Sequence, residues 1–543
     1  MKKNSFLTQV VKKDTVTENG AVSNSTTGAS LVDQFGKASA HRGRALDAVF
    51  ADQGALHTST DNITALKFAL YLRSVTRQPK SDLVDTEKPI EVVHKGSGNR
   101  DESLKRLLYI AYYHPQLFNK NMWMIPVTGR YKDLFDLIVL DRTVGNNSLD
   151  EDTIFEFLAT ISANSETDSD LVKKWMPRIR SNNKCKTESA KVSNQIAKDF
   201  AKFLGLNPKD YRQLKSGGKA HTWQQLISNG DFSSIEWNKV SGHALKSLVS
   251  GKFLDNQSLQ GEFLKWLDTK GSVNFNGYPY ELLNIWTRSR KTLIQKHTSD
   301  KQFQSLIDIA KKDASITENV WCALDTSGSM TVNIGEGNLT AYDVCVSLGI
   351  YFSSLNEGAF KQNVIMFDNK STVKQLSGKF TDMVDQIQSS SIAWGGTNFQ
   401  SVVDEIVRVR TTNPAVPLED YPTTLLVVSD MQFNPSGGYG RVTGDNKTNF
   451  EEMKTKLEAV FPAEWVAKFK AIWWDCTARK SDFPATLDDS GCYFMSGFDG
   501  AIVNLILGRE SEDQDPAKKP EPVSMEKIVD DALNQPLLQL VEA

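Results

Sequence analysis

Five oxygen-bearing side chains stand at spacings that could hold a hard cation. Asp325-Thr326-Ser327-Gly328-Ser329 offers one carboxylate and two hydroxyls directly after the apolar run NVWCAL. Thr397 follows Gly395-Gly396, ahead of a segment whose Phe399, Val402, Val403, Ile406 and Val407 make one helical apolar face, and Asp430 ends the run TTLLVVSD. With neither His nor Cys in the set, the chemistry is that of Mg²⁺, which takes carboxylate, hydroxyl and water oxygens; Mn²⁺ or Ca²⁺ are the alternatives, and Zn²⁺ is disfavoured. Few carboxylates leave such an ion underneutralised, so it attracts an acidic group from outside, a carboxylate or a phosphate.

Positioning these residues requires strands that end at one rim. NVWCAL, NVIMF, TTLLVV and AIWW are short apolar runs alternating with helical stretches such as 341 to 355, which predicts a mostly parallel sheet covered on both faces. Ligands of open α/β sheets bind at the carboxyl ends of the strands, where all three pieces fall. Alone, an Asp-x-Ser-x-Ser stretch is usually a turn or a helix cap. The order strand, Asp-x-Ser-x-Ser, Gly-Gly-Thr before a helix, then strand-Asp argues for a metal site instead.

The five residues match the metal-ion-dependent adhesion site of von Willebrand factor A domains, so 316–508 resembles that Rossmann-like α/β domain. The resemblance implies ligand binding rather than catalysis, in keeping with the absence of a His beside a nucleophilic Ser. Neither HExxH nor a GxSxG elbow occurs, and Gly96-Ser97-Gly98-Asn99-Arg100-Asp101-Glu102 has no phosphate-loop or dinucleotide spacing. It reads as a loop with a helix cap at Asp101. The chain is expected not to be an enzyme.

From about 62 to 313 the pattern is repeatedly helical. Leu104, Leu107, Leu108 and Ala111 follow the i, i+3, i+4, i+7 template, as do Ile154, Phe157, Leu158 and Ile161, and Phe303, Leu306, Ile307 and Ala310. Pro115, Pro126, Pro177, Pro208 and Pro279 punctuate them. No fixed repeat length emerges, so 46–315 is expected to be an irregular, HEAT-like helical-repeat domain. Residues 1–45 are rich in Ser, Thr, Asn and Gly and predict an extended arm. Residues 509–543 predict a disordered, charged linker with a short amphipathic helix from Met525 to Leu533, dispensable for folding.

The 543 residues imply two or three domains, and the net charge of −3 excludes a globally basic polyanion binder. Charge is nevertheless local: between Leu171 and Ala220, 13 Lys and Arg face three acids, Glu188, Asp199 and Asp210. Lys173, Lys174, Arg178, Arg180, Lys184, Lys186, Lys191, Lys198 and His221 are the candidate polyanion-binding residues of this stretch. The bland alternative is a solvated face, because Lys191, Lys198 and Lys202 fall opposite Val192, Ile196, Phe200 and Phe203 on one helix. Five cysteines without CxxC spacing fit a reducing compartment. No run approaches the roughly 18 apolar residues of a spanning helix, so no membrane partner and a cytoplasmic location are expected.

A helical domain followed by a von Willebrand A domain resembles the Ro autoantigen (TROVE) family and its bacterial and viral relatives. Thr17-Glu18-Asn19-Gly20-Ala21, SLKRLLYIAYYHPQL followed by GRYKDL, KFLGLNPKDYRQL and SSIEWNKVSGHAL look like pieces of a Ro-like family with this plan. The resemblance implies that helical repeats close into a ring, that the single-stranded end of a small non-coding or misfolded RNA enters it, and that the metal domain serves ligand or partner recognition. The competing reading is a metal-dependent assembly component, viral or of a large complex, whose cation takes a partner carboxylate without any RNA. A hydrolase is a weaker third, lacking a base to accept the proton of a metal-bound water.

Overall fold

The computed structural model describes residues 13–74, 83–84, 96–164, 168–216, 222–250, 255–312, 318–334, 338–390, 395–436, 447–478, 482–498 and 523–543. The chain forms two compact units, one of residues 1–42 with 236–530 and one of 43–235 with 531–543. A helical region precedes a mixed sheet with helices, as expected, but the divisions fall elsewhere than at 45, 315 and 508.

In the first unit, a short hairpin of β1 (Thr15–Val16) and β2 (Val22–Ser23) precedes the helix Ser30–Ala38. The sheet then comprises β3 (Val320–Asp325), β4 (Asn363–Phe367), β5 (Ser371–Gln375), β6 (Thr424–Ser429), β7 (Lys470–Asp475) and β8 (Cys492–Ser496), ordered β5-β4-β3-β6-β7-β8. All neighbours run parallel except β4 and β5. Every residue of β3, β6, β7 and β8 is buried, as continuous apolar runs require when helices cover both faces. The edge strand β5 is only half-buried and carries Lys374, a charge that discourages pairing with another chain. The chain leaves β3 toward β4 on one side and leaves β6 toward β7 on the other, so the switch point lies between β3 and β6 and opens a crevice at their carboxyl ends.

The helix Ala341–Leu355 packs on β3 and starts at a capping box, in which the Asp343 amide donates to Thr340 Oγ1 (3.2 Å) and the Thr340 amide donates to Asp343 Oδ2 (2.9 Å). Its Gly349 lets it lie close to the sheet, because a Cβ there would stand 2.3 Å from Leu324 Cδ2. The helices Pro279–Thr287 and Leu293–Lys311, expected in the helical domain, belong to this unit. Phe303 stacks on Phe380 at 4.3 Å, and the Thr381 amide and hydroxyl both donate to the buried Asp300 at 2.9 Å. A half-buried apolar stripe needs a partner, and the α/β domain supplies it.

The expected extended arm is instead folded onto the α/β domain. Asn24 bridges Phe483, and Val32, Phe35 and Ala38 bury one face of Ser30–Ala38 against β8. Lys37 Nζ donates to Asp475 Oδ2 at 2.7 Å and to the Asp482 carbonyl at 3.2 Å, with the Phe483 ring 4.8 Å away. The physical reason is apolar burial: Val32, Phe35 and Ala38 leave water here, and the polar side chains around them find partners on the domain.

In the second unit, the helices Leu46–Ser59, Asn62–Arg73, Arg100–Tyr113, Lys132–Val144, Glu151–Asn164 and Glu188–Phe203 bury Leu66, Phe68, Leu107, Leu108, Leu134, Ile138, Ile154, Leu158, Ile196 and Phe200. Three details depart from the periodicity. Phe155 rather than Phe157 is buried, Phe203 is exposed, and the helix at Arg100 is capped by Asn99, whose side chain accepts from the Glu102 amide, not by Asp101.

The tail is not a mere appendage. Although 509–522 lies outside the described residues, Met525, Ile528, Val529, Ala532, Leu533, Leu537 and Leu538 are buried. Within the second unit Lys67 Nζ donates to Asn534 Oδ1 at 2.7 Å, and the Asn121 side chain donates to the Glu542 carbonyl and accepts from its amide, both at 2.8 Å. All five cysteines are free and buried. No helix among the described residues is long and apolar enough to cross a membrane.

Candidate metal centre

The five candidate ligands converge at the carboxyl ends of β3 and β6. Asp325 is the last residue of β3 and is fully buried; its Oδ1 accepts from the Ser327 amide at 2.9 Å, and its Oδ2 accepts from the Ser429 hydroxyl. The Ser327 and Ser329 hydroxyls stand 3.1 Å apart. Two ligands on adjacent corners of a Mg²⁺ octahedron with bonds near 2.05 Å would be roughly 2.9 Å apart, so the pair suits that edge. Asp430 follows β6, is 4% exposed and accepts from the Gln432 amide at 3.2 Å.

Backbone bonds clamp the three loops together. The Gly328 amide donates to the Gly395 carbonyl at 3.2 Å, and the Asn434 amide donates to the Thr397 carbonyl at 2.8 Å. Thr397 is thereby held between the loops after β3 and β6. Its hydroxyl is buried and has no hydrogen-bond partner, a costly condition for a polar atom in a protein interior.

Electrostatics point the same way. Burial, and then the charge of Asp430, push the Asp325 carboxyl up to about 7. A divalent ion bound between Asp325 and Asp430 would reverse this direction by favouring the ionised form of Asp325. Oxygen donors, an orphaned hydroxyl and mutually repelling acids fit Mg²⁺. Among the described residues no three His, Cys, Asp or Glu side chains group to hold a metal, so an ion here depends on the hydroxyls.

Several residues at this rim escaped sequence reasoning. Ser429 holds Asp325, and its place directly before Asp430 was the available signal. An open depression of about 470 Å³ is lined by Asn369, Gly396, Asn398 and Asn434. The Gly396 amide donates to Asn369 Oδ1 at 2.8 Å, and the Asn398 amide donates to the Asp368 carbonyl at 2.8 Å. The Thr17–Ala21 turn docks beside it: the Thr17 hydroxyl donates to the Phe433 carbonyl at 2.5 Å, the Glu18 amide donates to Gln432 Oε1 at 2.7 Å, and Asn19 donates to the Gln432 carbonyl. No local pattern links residues 414 positions apart.

The basic candidates all lie in the other unit. Lys174, Arg178, Arg180, Lys184, Lys186, Lys191 and Lys198 are exposed and Lys173 is half-buried, while His221 lies outside the described residues. Lys191 pairs with Glu188 at 3.1 Å, and Asp199 is taken by Arg142 at 2.6 Å.

Residues 320–537 match a family described as a domain of unknown function (DUF7788). That span ends beyond the helix Met525–Leu533. Over 534 residues the chain is 22% identical to "Uncharacterized protein L728" of Acanthamoeba polyphaga mimivirus, covering 91% of this chain and 84% of that one. The similarity thus runs through both units.

Proposed function

We propose that this chain is a Ro-like RNA-binding protein. In this reading a HEAT-like helical-repeat domain holds the single-stranded end of a small or misfolded RNA on its basic residues. A von Willebrand A-type domain uses Mg²⁺ at Asp325, Ser327, Ser329, Thr397 and Asp430 to recognise an acidic group of a ligand or protein partner.

The observation that carries the metal half is the buried, unpartnered Thr397 hydroxyl beside two carboxylates at the switch point. In this reading the cation binds rather than catalyses, because its oxygen ligands suit ligand recognition. For the RNA half, the support is the exposure of Lys184, Lys186, Lys191 and Lys198 on a stretch poor in acids. Clustered cations displace counterions from a phosphate chain.

The test is a titration of single-stranded RNA affinity against salt, with Mg²⁺ uptake measured in parallel by calorimetry. Reversing Lys184, Lys186, Lys191 and Lys198 to Glu weakens RNA binding across sequences and flattens the salt slope. Asp325→Ala abolishes Mg²⁺ uptake and leaves RNA affinity unchanged. Equal Mg²⁺ uptake by wild type and Asp325→Ala removes the metal site. No RNA binding at low salt leaves the assembly-component reading, which the Lys191–Glu188 pair favours by neutralising part of the segment.

A further inference from the structure

In the second unit, four cations surround two acids at the start of the helix Lys132–Val144. Asp133, whose side chain is 0% exposed, accepts from Arg73 Nε at 2.6 Å, from Arg100 Nε at 2.7 Å and from the Arg130 amide at 3.1 Å. The Arg130 guanidinium comes no nearer to it than 3.7 Å. Asp136 pairs with Arg100 and with Lys132, the latter at 2.5 Å. Burial pushes Asp133 up, yet Arg73 and Arg100 hold it below the ordinary carboxylate value, so the acid stays ionised and its arginines stay fixed.

The cluster is built, not incidental. A Cβ at Gly129 would stand 2.3 Å from Asp133 Oδ2 and 2.8 Å from Arg73 Nε, so the backbone before Arg130 lies directly over this pair. The Arg130 guanidinium sits 4.9 Å over the Trp175 ring and Lys174 Nζ lies 5.3 Å from it. One indole thereby tethers two cations. Beyond Lys174, Lys215 Nζ donates to the Lys173 and Lys174 carbonyls at 3.3 and 3.0 Å. Burial, and then the neighbouring Arg178, push Lys215 down to about 8.

Arg73, Arg100, Arg130 and Lys132 against Asp133 and Asp136 leave two positive charges, and Lys174 adds a third. The Arg100, Arg130 and Lys132 side chains remain 32%, 37% and 40% exposed, while Arg100 Nη2 and Arg130 Nε are buried, so the groups meet solvent in part and are positioned from below. Guanidinium groups held in place before a ligand arrives spend little entropy on it, and their forks match phosphate oxygens.

We propose that Arg100, Arg130, Lys132 and Lys174 form a binding site for the phosphodiester backbone of a single-stranded RNA, with Asp133 and Trp175 as positioning residues. This rests on the RNA reading above and moves its centre from the 184–198 lysines to a preorganised arginine cluster.

The experiment uses the full chain and a fluorescein-labelled, unstructured 12-nucleotide RNA, read by anisotropy across salt concentrations. Arg130→Gln with Lys132→Gln weakens binding at least tenfold and flattens the log–log salt slope by roughly 1.4, for two lost phosphate contacts on a single strand. Arg130→Lys with Lys132→Arg retains affinity to within a few-fold. Lys184→Gln with Lys198→Gln is the control of equal charge and costs less. Ultraviolet cross-linking of 4-thiouridine RNA to wild type, mapped by mass spectrometry, is independent of any variant's folding and places adducts at 130–132 and 174–175. Wild-type binding with equal losses in the Gln variant and control, or adducts confined elsewhere, overturns the site and leaves the RNA reading standing. Wild type that ignores RNA overturns both. So does binding to phosphatidylserine vesicles in place of RNA.

Discussion

Gly349→Ala tests how tightly the metal loop is supported from behind. In an ordinary helix interior this change stabilises by about 1 kcal/mol, because alanine has less backbone freedom to lose. Here the new Cβ would meet Leu324 Cδ2, Cδ1 and Cγ at 2.3, 2.6 and 2.9 Å, against the 3.5–4.0 Å at which carbon atoms rest. Leu324 is fully buried and sits in a strand bonded on both sides, its register partners being Met366 and Val428, so it cannot retreat by the required ångström. Overpacking of this kind costs roughly 1–3 kcal/mol. Three contacts together put it at the upper end, for a net loss of about 2 kcal/mol. Leu324→Ala alone costs about 2–5 kcal/mol, but in the double variant the alanine at 349 fills part of the vacated space. The two changes therefore couple favourably by about 2 kcal/mol. Urea titration followed by tryptophan fluorescence reads this sheet through Trp321, Trp473 and Trp474. A neutral or stabilised Gly349→Ala, or strict additivity in the double variant, refutes the close approach. Because Asp325 directly follows Leu324, the single variant also binds Mg²⁺ more weakly.

Three further outcomes follow from the same geometry. Without metal, the folded state holds a proton on Asp325 that the unfolded chain releases near pH 4, so stability falls as pH rises from about 4 to about 7; saturating Mg²⁺ removes that slope, which melts across this range would show. Lys37→Met leaves the buried Asp475 without its cation and costs about 3–5 kcal/mol, measured by denaturant titration, whereas a loss under 1 kcal/mol would mean the pair is idle. Deleting 534–543 exposes the site of Leu537 and Leu538 and lowers the melting temperature of the second unit by several degrees, since each large apolar side chain contributes about 1.5–3 kcal/mol; an unchanged melt would return the tail to the status of a linker.

Two of the candidate ligand loops were legible because Asp325 and Asp430 close continuous apolar strands, while Thr397 was marked by the Gly-Gly pair before its helix. Four strands of the sheet showed themselves the same way. By contrast, β1 and β2 are two residues long, too short for any period, and β5 alternates Thr, Lys and Ser on a half-exposed edge. The arm read as extended because its Ser, Thr and Asn side chains look solvated, whereas Thr17, Ser23 and Asn24 spend their hydrogen bonds on residues more than 400 positions away. Helical periodicity found the stripe of Leu293–Lys311 but not its partner, since a stripe records that a face is buried and not by what. That is why the boundary at 315 moved to 235. The arginine cluster was hidden for a related reason: Arg73, Arg100 and Arg130 are far apart in sequence and sit outside the charge-dense stretch.

The interleaving of the two units has a consequence for biosynthesis. The segment ending at Arg42 is made before the rest of its unit, and the bridging partner of Asn24 is Phe483, 459 residues later. At translation rates of roughly 5–20 residues per second, roughly 20–90 seconds separate the synthesis of Asn24 from that of Phe483. The inserted unit can gather most of its own core in that interval, though its segment 531–543 is made only after all of 236–530. Neither unit can be obtained by cutting the gene once, and an isolated α/β domain has to be built as a fusion of 1–42 to 236–530 across a new linker.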